Sequence, residues 1–378
     1  MPELVAVDTS DPTQFVDHML EIWHAGNAVL PIDHRLPRPA VERLLATLRP
    51  SRLVDAAGDV HRLSTGVPVL PGDALVVPTS GSTGEPKGVI HTHQSIAASA
   101  RATNAGIGTD PVSDRWLCCL PLSHVAGLSV VTRALLSGTP LQVLPGFDPG
   151  AVEYAARNGA TLTTAVPTAL ARIDASLFRR IVVGGSFPPS QLPGNCLVSY
   201  GLTETGSAVA YNGRALDNVE LRIVGGQIQV RGPMLLRAYR SHEPEGRQAL
   251  DEHGWFGTGD AGSWDDAGRL VVHGRIGDMI NTGGEKVWPV EVERCLLRHP
   301  RIAEAAVIGR PDPEWGQTVV AIIVPCDPDD PPSLGEVRDH VKRELPTYAA
   351  PKVLEVVNEL PRTLLGKIER KRLTACRS

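Results

Sequence analysis

The segment Thr79-Ser80-Gly81-Ser82-Thr83-Gly84-Glu85-Pro86-Lys87-Gly88 carries the residue types that hold a polyphosphate. Glycines let backbone N–H groups close on an anion, hydroxyls add donors, and a lysine adds charge. Thr79, Ser80, Ser82, Thr83 and Lys87 supply the last two. The segment is not a Walker A loop, because Lys87 follows Pro86 and Gly88 stands where Ser or Thr is required. A Gly/Ser-rich surface turn would share the first half of this pattern but not Pro86-Lys87-Gly88.

The surrounding elements must position that loop. Leu75-Val76-Val77 reads as a buried strand entering it, and residues 91–105 as a helix leaving it. A strand, a glycine-rich loop and a helix in that order aim N–H groups at an anion. Strands and helices then alternate: strands at 116–120, 141–144, 161–166 and 180–183, with helices at 128–136 and 151–157. This is the rhythm of a mostly parallel sheet with crossover helices. Around Gly225-Gly226, residues 221–230 read as a β-hairpin. Beyond residues 274–278 a compact unit follows, with a helix opened by Pro289, strands at 305–308 and 319–324, and a helix at 334–345. The expected fold class is α/β: a large N-terminal α/β domain over 1–276 and a smaller α+β domain over 277–378.

The chain has 378 residues and a net charge of −5. That balance argues against a nucleic-acid binder, which is usually basic. No basic-then-apolar leader opens the sequence, and no apolar run approaches the ~20 residues of a membrane span. Six cysteines occur without a C-x-x-C pair, so their spacing gives no zinc motif; free, mostly buried thiols in a reducing cytoplasm are the simplest reading.

Further along the chain stand Gly184-Gly185-Ser186, Tyr200-Gly201-Leu202-Thr203-Glu204, Trp255-Phe256-Gly257-Thr258-Gly259-Asp260, Gly274-Arg275-Ile276-Gly277-Asp278 and Pro361-Arg362-Thr363-Leu364-Leu365-Gly366-Lys367-Ile368. Together with residues 79–88, and in this order, they resemble the motifs of the adenylate-forming superfamily: acyl-CoA synthetases, peptide-synthetase adenylation domains and firefly luciferases. The resemblance spans nearly the whole chain, although the part before residue 79 is short. It implies ATP and Mg²⁺, with Gly184, Gly185, Ser186 and Tyr200 beside the adenine, Thr203 at the α-phosphate and Glu204 on the metal. A carboxylate beside a triphosphate repels it unless a divalent ion lies between. Asp260 and Arg275 would contact the ribose, and Lys367 would be the catalytic lysine of a mobile C-terminal domain. Gly283-Gly284-Glu285 resembles the segment that faces coenzyme A after that domain rotates about a hinge near Gly277. Homodimerisation is a further implication.

Pro121-Leu122-Ser123-His124-Val125-Ala126-Gly127-Leu128, followed by Arg133, resembles o-succinylbenzoate–CoA ligases of menaquinone synthesis, especially the short actinobacterial form. The substrate so implied is 2-succinylbenzoate, a dicarboxylate, whose second carboxylate needs a partner; Arg133 suits that role. His124 and Ser207 are further candidates for the acid pocket. Two bland readings stay open: His124 as an uncharged gate, and Arg133 as a surface residue of an amphipathic helix. Other functions remain open too: a ligase for another aromatic or medium-chain acid, or a stand-alone adenylation domain loading a separate carrier protein.

Overall fold

In a computed structural model, which describes residues 1–80, 86–185, 191–241, 249–362 and 368–375, the chain divides into two units. One comprises residues 1–222 and 229–257; the other comprises 223–228 and 258–378.

Two seven-stranded sheets organise the larger unit. In the first, Leu4–Val7 lies parallel between Ala28–Pro31 and Arg52–Val54, and Asp73–Ser80 runs parallel to Ala28–Pro31. Antiparallel strands Pro86–Thr92 and Ala238–Arg240 complete that side. In the second, five strands are parallel: Leu141–Val143, Trp116–Cys118, Leu162–Ala165, Arg180–Val183 and Cys196–Gly201. Ala208–Tyr211 and Arg214–Ala215 add an antiparallel edge. The helices His93–Ile107 and Val125–Ser137 pack on one another. Apolar side chains of both sheets and both helices, among them Val77, Val89, Trp116, Leu128 and Val182, form one core.

The expected strand–loop–helix order at residues 75–105 is corrected here. Pro86–Thr92 is a strand, so the glycine-rich segment joins an antiparallel hairpin. The helix begins only at His93, where Thr92 and Ser95 form a reciprocal capping box. Val89, Ile90 and His91 are buried on the sheet; the β-branched Val89 and Ile90 favour a strand, and His91 continues it.

In the smaller unit, Glu285–Val287, Ile280–Thr282, Gly316–Pro325, Ile302–Asp312 and Val353–Val356 form a five-stranded sheet. Helices Pro289–Leu296 and Leu334–Lys342 pack over it through Val292, Cys295, Leu296, Val337 and Val341. The division after Gly257 falls earlier than the expected 276/277 boundary. The strand Leu270–Arg275 explains this, because it is tied to the helix at Pro289: His273 Nδ1 lies 2.9 Å from Glu291 Oε1 and the ring stacks on Trp288. No helix among the described residues is long and apolar enough to cross a membrane.

Candidate active site

In the hairpin, Thr79 stands opposite Lys87 and Ser80 opposite Pro86. Thr79 Oγ1 donates to the Lys87 carbonyl at 3.3 Å. Gly81, Ser82, Thr83 and Gly84 lie outside the described residues. Lys87 Nζ reaches to 3.4 Å from Glu204 Oε1 and lies 3.8 Å from the centroid of the Tyr239 ring. The Tyr239 hydroxyl donates to the same Glu204 oxygen at 2.9 Å. A strand, its neighbour and a distant turn therefore converge on one carboxylate.

Glu204 sits on a 3-10 turn, Thr203–Thr205, that is fastened to the sheet at two points. His91 Nε2 donates to the Thr203 carbonyl at 2.7 Å, and the Leu236 N–H donates to the Glu204 carbonyl at 2.8 Å. Burial lowers the His91 pKa, against opposing effects from the Thr203 carbonyl and the Glu204 charge. The imidazole is thus a neutral strut. Gly201 is required by close approach: a Cβ there would lie 2.2 Å from the Ser207 carbonyl oxygen.

Tyr200 and Gly201 end a strand that runs parallel to Arg180–Val183, with Val183 opposite Val198. Gly184 and Gly185 follow Val183 directly, so these residues gather at the carboxyl edge of the sheet. Ligands of open α/β sheets bind at such edges. A Cβ on Gly184 would strike Ser199 Oγ at 2.3 Å, and Gly185 adopts φ +86°. Ser186 lies outside the described residues.

Glu204 offers a suitable ligand for Mg²⁺. Both of its hydrogen-bonding contacts fall on Oε1, and among the described residues none reaches Oε2. Mg²⁺ commonly takes one or two carboxylate oxygens and completes its shell with phosphate and water.

The acid-side candidates separate into two places. His124 caps the helix Val125–Ser137, and its Nε2 lies 3.3 Å from Asp33 Oδ2. Burial acts to raise the Asp33 pKa, but the hydrogen bonds and charge of Arg35, with the His124 imidazole close by, outweigh it and hold the carboxyl well below the usual range. Arg133, farther along the same helix, is 2% exposed, which excludes a surface role. Its Nη2 donates to Ser207 Oγ, and its Nη1 donates to Thr164 Oγ1 at 3.3 Å. The guanidinium carbon lies 5.5 Å from the Trp116 ring centroid. Among the described residues no carboxylate pairs with Arg133. Val125, Leu128, Ser129 and Thr132 of the same helix line a narrow cavity with His91 and Gly206. A crevice of about 790 Å³ elsewhere, around Pro167, Phe178 and Leu192, is lined by none of the motif residues among the described ones.

In the smaller unit, Asp260 and Arg275 are cross-strand partners, joined at 2.9 Å between Oδ1 and Nε. Arg275 also donates to the Thr258 carbonyl at 2.8 Å. Gly283 and Gly284, at φ +62° and +86°, form the two-residue turn between paired Thr282 and Glu285. Positive φ at both positions is the requirement of a type I′ turn. Lys367 lies outside the described residues.

Comparison with known proteins gives this arrangement a family. Residues 65–239 match the "AMP-binding enzyme" model, and residues 291–367 match the "AMP-binding enzyme C-terminal domain" model. A Mycobacterium tuberculosis protein named "Probable 2-succinylbenzoate--CoA ligase" is 37% identical over 366 residues, covering 88% of this chain and 92% of its own length. The chain belongs to the AMP-binding enzyme family. An indoleacetate–CoA ligase from Aromatoleum aromaticum is 33% identical, with 91% of this chain and 82% of the relative covered. The o-succinylbenzoate CoA synthetase of Bacillus subtilis, solved with its acyl-adenylate intermediate, superposes at a TM-score of 0.85. It is 27% identical, over 99% of this chain and 88% of that one. The same Bacillus enzyme has been solved with ATP and a magnesium ion.

Several site residues carry no motif signal. Tyr239, His91, Asp33 and Thr164 reach the site through strand register and long-range packing. Each looks like an ordinary strand or loop residue in the sequence. His91 came closest to being legible, because it follows the glycine-rich segment closely, but its side chain was assigned to a helix.

Proposed function

We propose that this AMP-binding enzyme activates 2-succinylbenzoate with ATP and passes the acyl group to coenzyme A. In the first step a substrate carboxylate oxygen attacks the α-phosphorus of ATP; the α–β phosphoanhydride bond breaks and pyrophosphate leaves. In the second, the thiolate of coenzyme A attacks the acyl carbonyl and AMP leaves. Both partners of the first step are anionic, so positioning and neutralisation of charge carry most of the catalysis. Thr79, Ser80, Ser82, Thr83 and Lys87 hold the β- and γ-phosphates, Gly81 and Gly84 let the backbone close on them, and Lys367 draws the developing charge. Glu204 would hold Mg²⁺, which would supply the remaining neutralisation of charge. Tyr200, Gly184, Gly185 and Ser186 seat the adenine, Thr203 contacts the α-phosphate, and Asp260 with Arg275 binds the ribose. Gly283 and Gly284 face coenzyme A. The hinge of the small domain is placed near Gly277.

The observation that carries the choice of acid is Arg133, a buried guanidinium whose hydrogen-bond partners among the described residues are neutral hydroxyls. A buried charge left without a counter-charge is costly. A carboxylate entering beside Ser207 would relieve that cost and complete a charge-assisted pair. The M. tuberculosis and B. subtilis relatives support the same acid. A second reading, a ligase for an aromatic monocarboxylate, is favoured by the apolar wall of Leu75, Val77, Ile96 and Leu128. Pyrophosphate release measured with 2-succinylbenzoate, indoleacetate, benzoate and a fatty acid, each with and without coenzyme A, separates the readings. Turnover of the monocarboxylates without turnover of the dicarboxylate would overturn the first.

A further inference from the structure

The smaller unit holds a cluster that takes no part in the reaction above. Cys295 lies at the end of the helix Pro289–Leu296, while His340 lies on the helix Leu334–Lys342 and Glu344 one turn farther on. One potential ligand atom from each of the three lies within 4.8 Å of the others. Glu344 lies four residues past His340, beyond the helix end at Lys342, and its carboxylate still falls within that distance. Cys295 is fully buried, whereas the Glu344 side chain is 41% exposed.

The surroundings already orient these groups. His340 Nε2 donates to the Cys295 carbonyl at 2.9 Å, which leaves the lone pair of the neutral ring on Nδ1. A backbone carbonyl that fixes a histidine tautomer in this way is a common support for a metal ligand. The His299 ring packs edge-on against His340 with centroids 5.1 Å apart and holds its plane. Glu344 is ion-paired with Arg298, so a cation arriving at the carboxylate competes with that guanidinium. Burial, the largest effect, raises the Cys295 thiol above its usual value, with Glu344 adding to it and Arg298 opposing. A bound divalent ion reverses this balance, because a coordinating thiol is deprotonated outright.

We propose that Cys295, His340 and Glu344 form a binding site for a borderline-soft divalent transition metal of the zinc class, with water in the fourth position. The ligand set of one thiolate, one imidazole and one carboxylate suits tetrahedral Zn²⁺ and does not suit Mg²⁺ or Ca²⁺, which take oxygen. Bonds of ~2.0–2.3 Å around zinc put its ligand atoms about 3.3–3.8 Å apart. The metal ties the helix at Cys295 to the helix at His340 across the edge of the small unit's core. This site is independent of the adenylation site, and its test does not depend on which acid is activated.

The test uses full-length protein without a histidine tag, stripped with a chelator and titrated with Co²⁺. The wild-type chain is expected to give a thiolate-to-cobalt charge-transfer band with tetrahedral ligand-field bands, one ion per chain, displaced by Zn²⁺. Zn²⁺ should also raise the unfolding temperature. Cys295→Ser should abolish the charge-transfer band, and the surface variant Glu344→Gln should weaken Zn²⁺ binding at least tenfold while leaving the protein folded. Should Cys295→Ser fail to fold, His340→Gln and Glu344→Gln decide the matter through Zn²⁺ affinity alone. Absence of the thiolate band in the wild-type chain, or equal Zn²⁺ affinity in wild type and Glu344→Gln, overturns the proposal.

Discussion

Lys87 Nζ and Glu204 Oε1 stand 3.4 Å apart, and the Tyr239 hydroxyl donates to that same oxygen at 2.9 Å. With Oε1 so engaged, Oε2 is the oxygen available to a metal ion. Glu204→Gln keeps the shape and removes the charge. Its ATP–pyrophosphate exchange is expected to fall by about 10²–10³-fold, the range for losing one preorganised electrostatic contact. The Mg²⁺ concentration for half-maximal exchange should rise as well. Tyr239→Phe removes one hydrogen bond to a charged group and should cost about tenfold. A Glu204→Gln enzyme with unchanged Mg²⁺ dependence would return Glu204 to a structural role.

Arg133 makes a sharper prediction, because its catalytic and structural roles pull in opposite directions. Removing one partner of a structural ion pair destabilises a protein, but replacing a buried charge that lacks a counter-charge by an apolar residue is often neutral or stabilising. Arg133→Met should therefore leave the unfolding temperature unchanged or higher. The same variant should lose about 10²-fold in kcat/KM for 2-succinylbenzoate, mainly through KM. Arg133→Lys keeps the charge but not the planar fork and should restore only part of the loss. A fall of several degrees in unfolding temperature, with unaltered KM, would sink the assignment.

The two halves of the chemistry were unequally legible in the sequence. Gly201 and Gly184 are read easily because they stand inside short motifs, and at Gly201 a Cβ would lie 2.2 Å from the Ser207 carbonyl oxygen, so only glycine fits there. Asp260 and Arg275 were also named, and their pairing is local, across one hairpin. The cluster around Glu204 is not legible in this way: Lys87 stands in the glycine-rich segment, but Tyr239 carries no motif signal, and the two come together through the pairing of Ala238–Arg240 with Pro86–Thr92. The exit of the glycine-rich segment is not legible, because His91 and Thr92 border a helix and fit its first turn as well as the last residues of the strand Pro86–Thr92. Cys295 and His340 lie 45 residues apart and meet only when two helices pack, so cysteine spacing gave no sign of them.

Lys367 is expected to act in one half-reaction only. Its charge is needed where carboxylate and triphosphate meet, and not where a neutral thioester forms and AMP leaves. Lys367→Ala should abolish pyrophosphate release from ATP and acid, a loss of about 10²-fold or more. The variant should still make the thioester from coenzyme A and a supplied acyl-adenylate. Loss of both steps would contradict the assigned role.

His91 couples the site to pH through stability. Burial, as the dominant effect, lowers its pKa from the ordinary 6.5, so the folded chain keeps the ring neutral where the unfolded chain begins to take up a proton. Below about pH 6.5 the unfolded state then binds more protons than the folded state, and stability falls as pH falls, by at most about 1.4 kcal/mol per pH unit from this group. The loss continues down to the folded-state pKa and stops there. His91→Gln retains a donor for the Thr203 carbonyl but does not titrate. The variant should be less stable than wild type at pH 7.5, because its amide fills the site less well, and the gap should narrow steadily toward pH 5.5. Urea unfolding of both proteins across that range measures the gap directly. His93 and His299 titrate identically in the two proteins and cancel in the comparison. A gap that stays constant with pH would mean that His91 takes up its proton without leaving the fold, and the picture of a neutral strut under Glu204 would have to be abandoned.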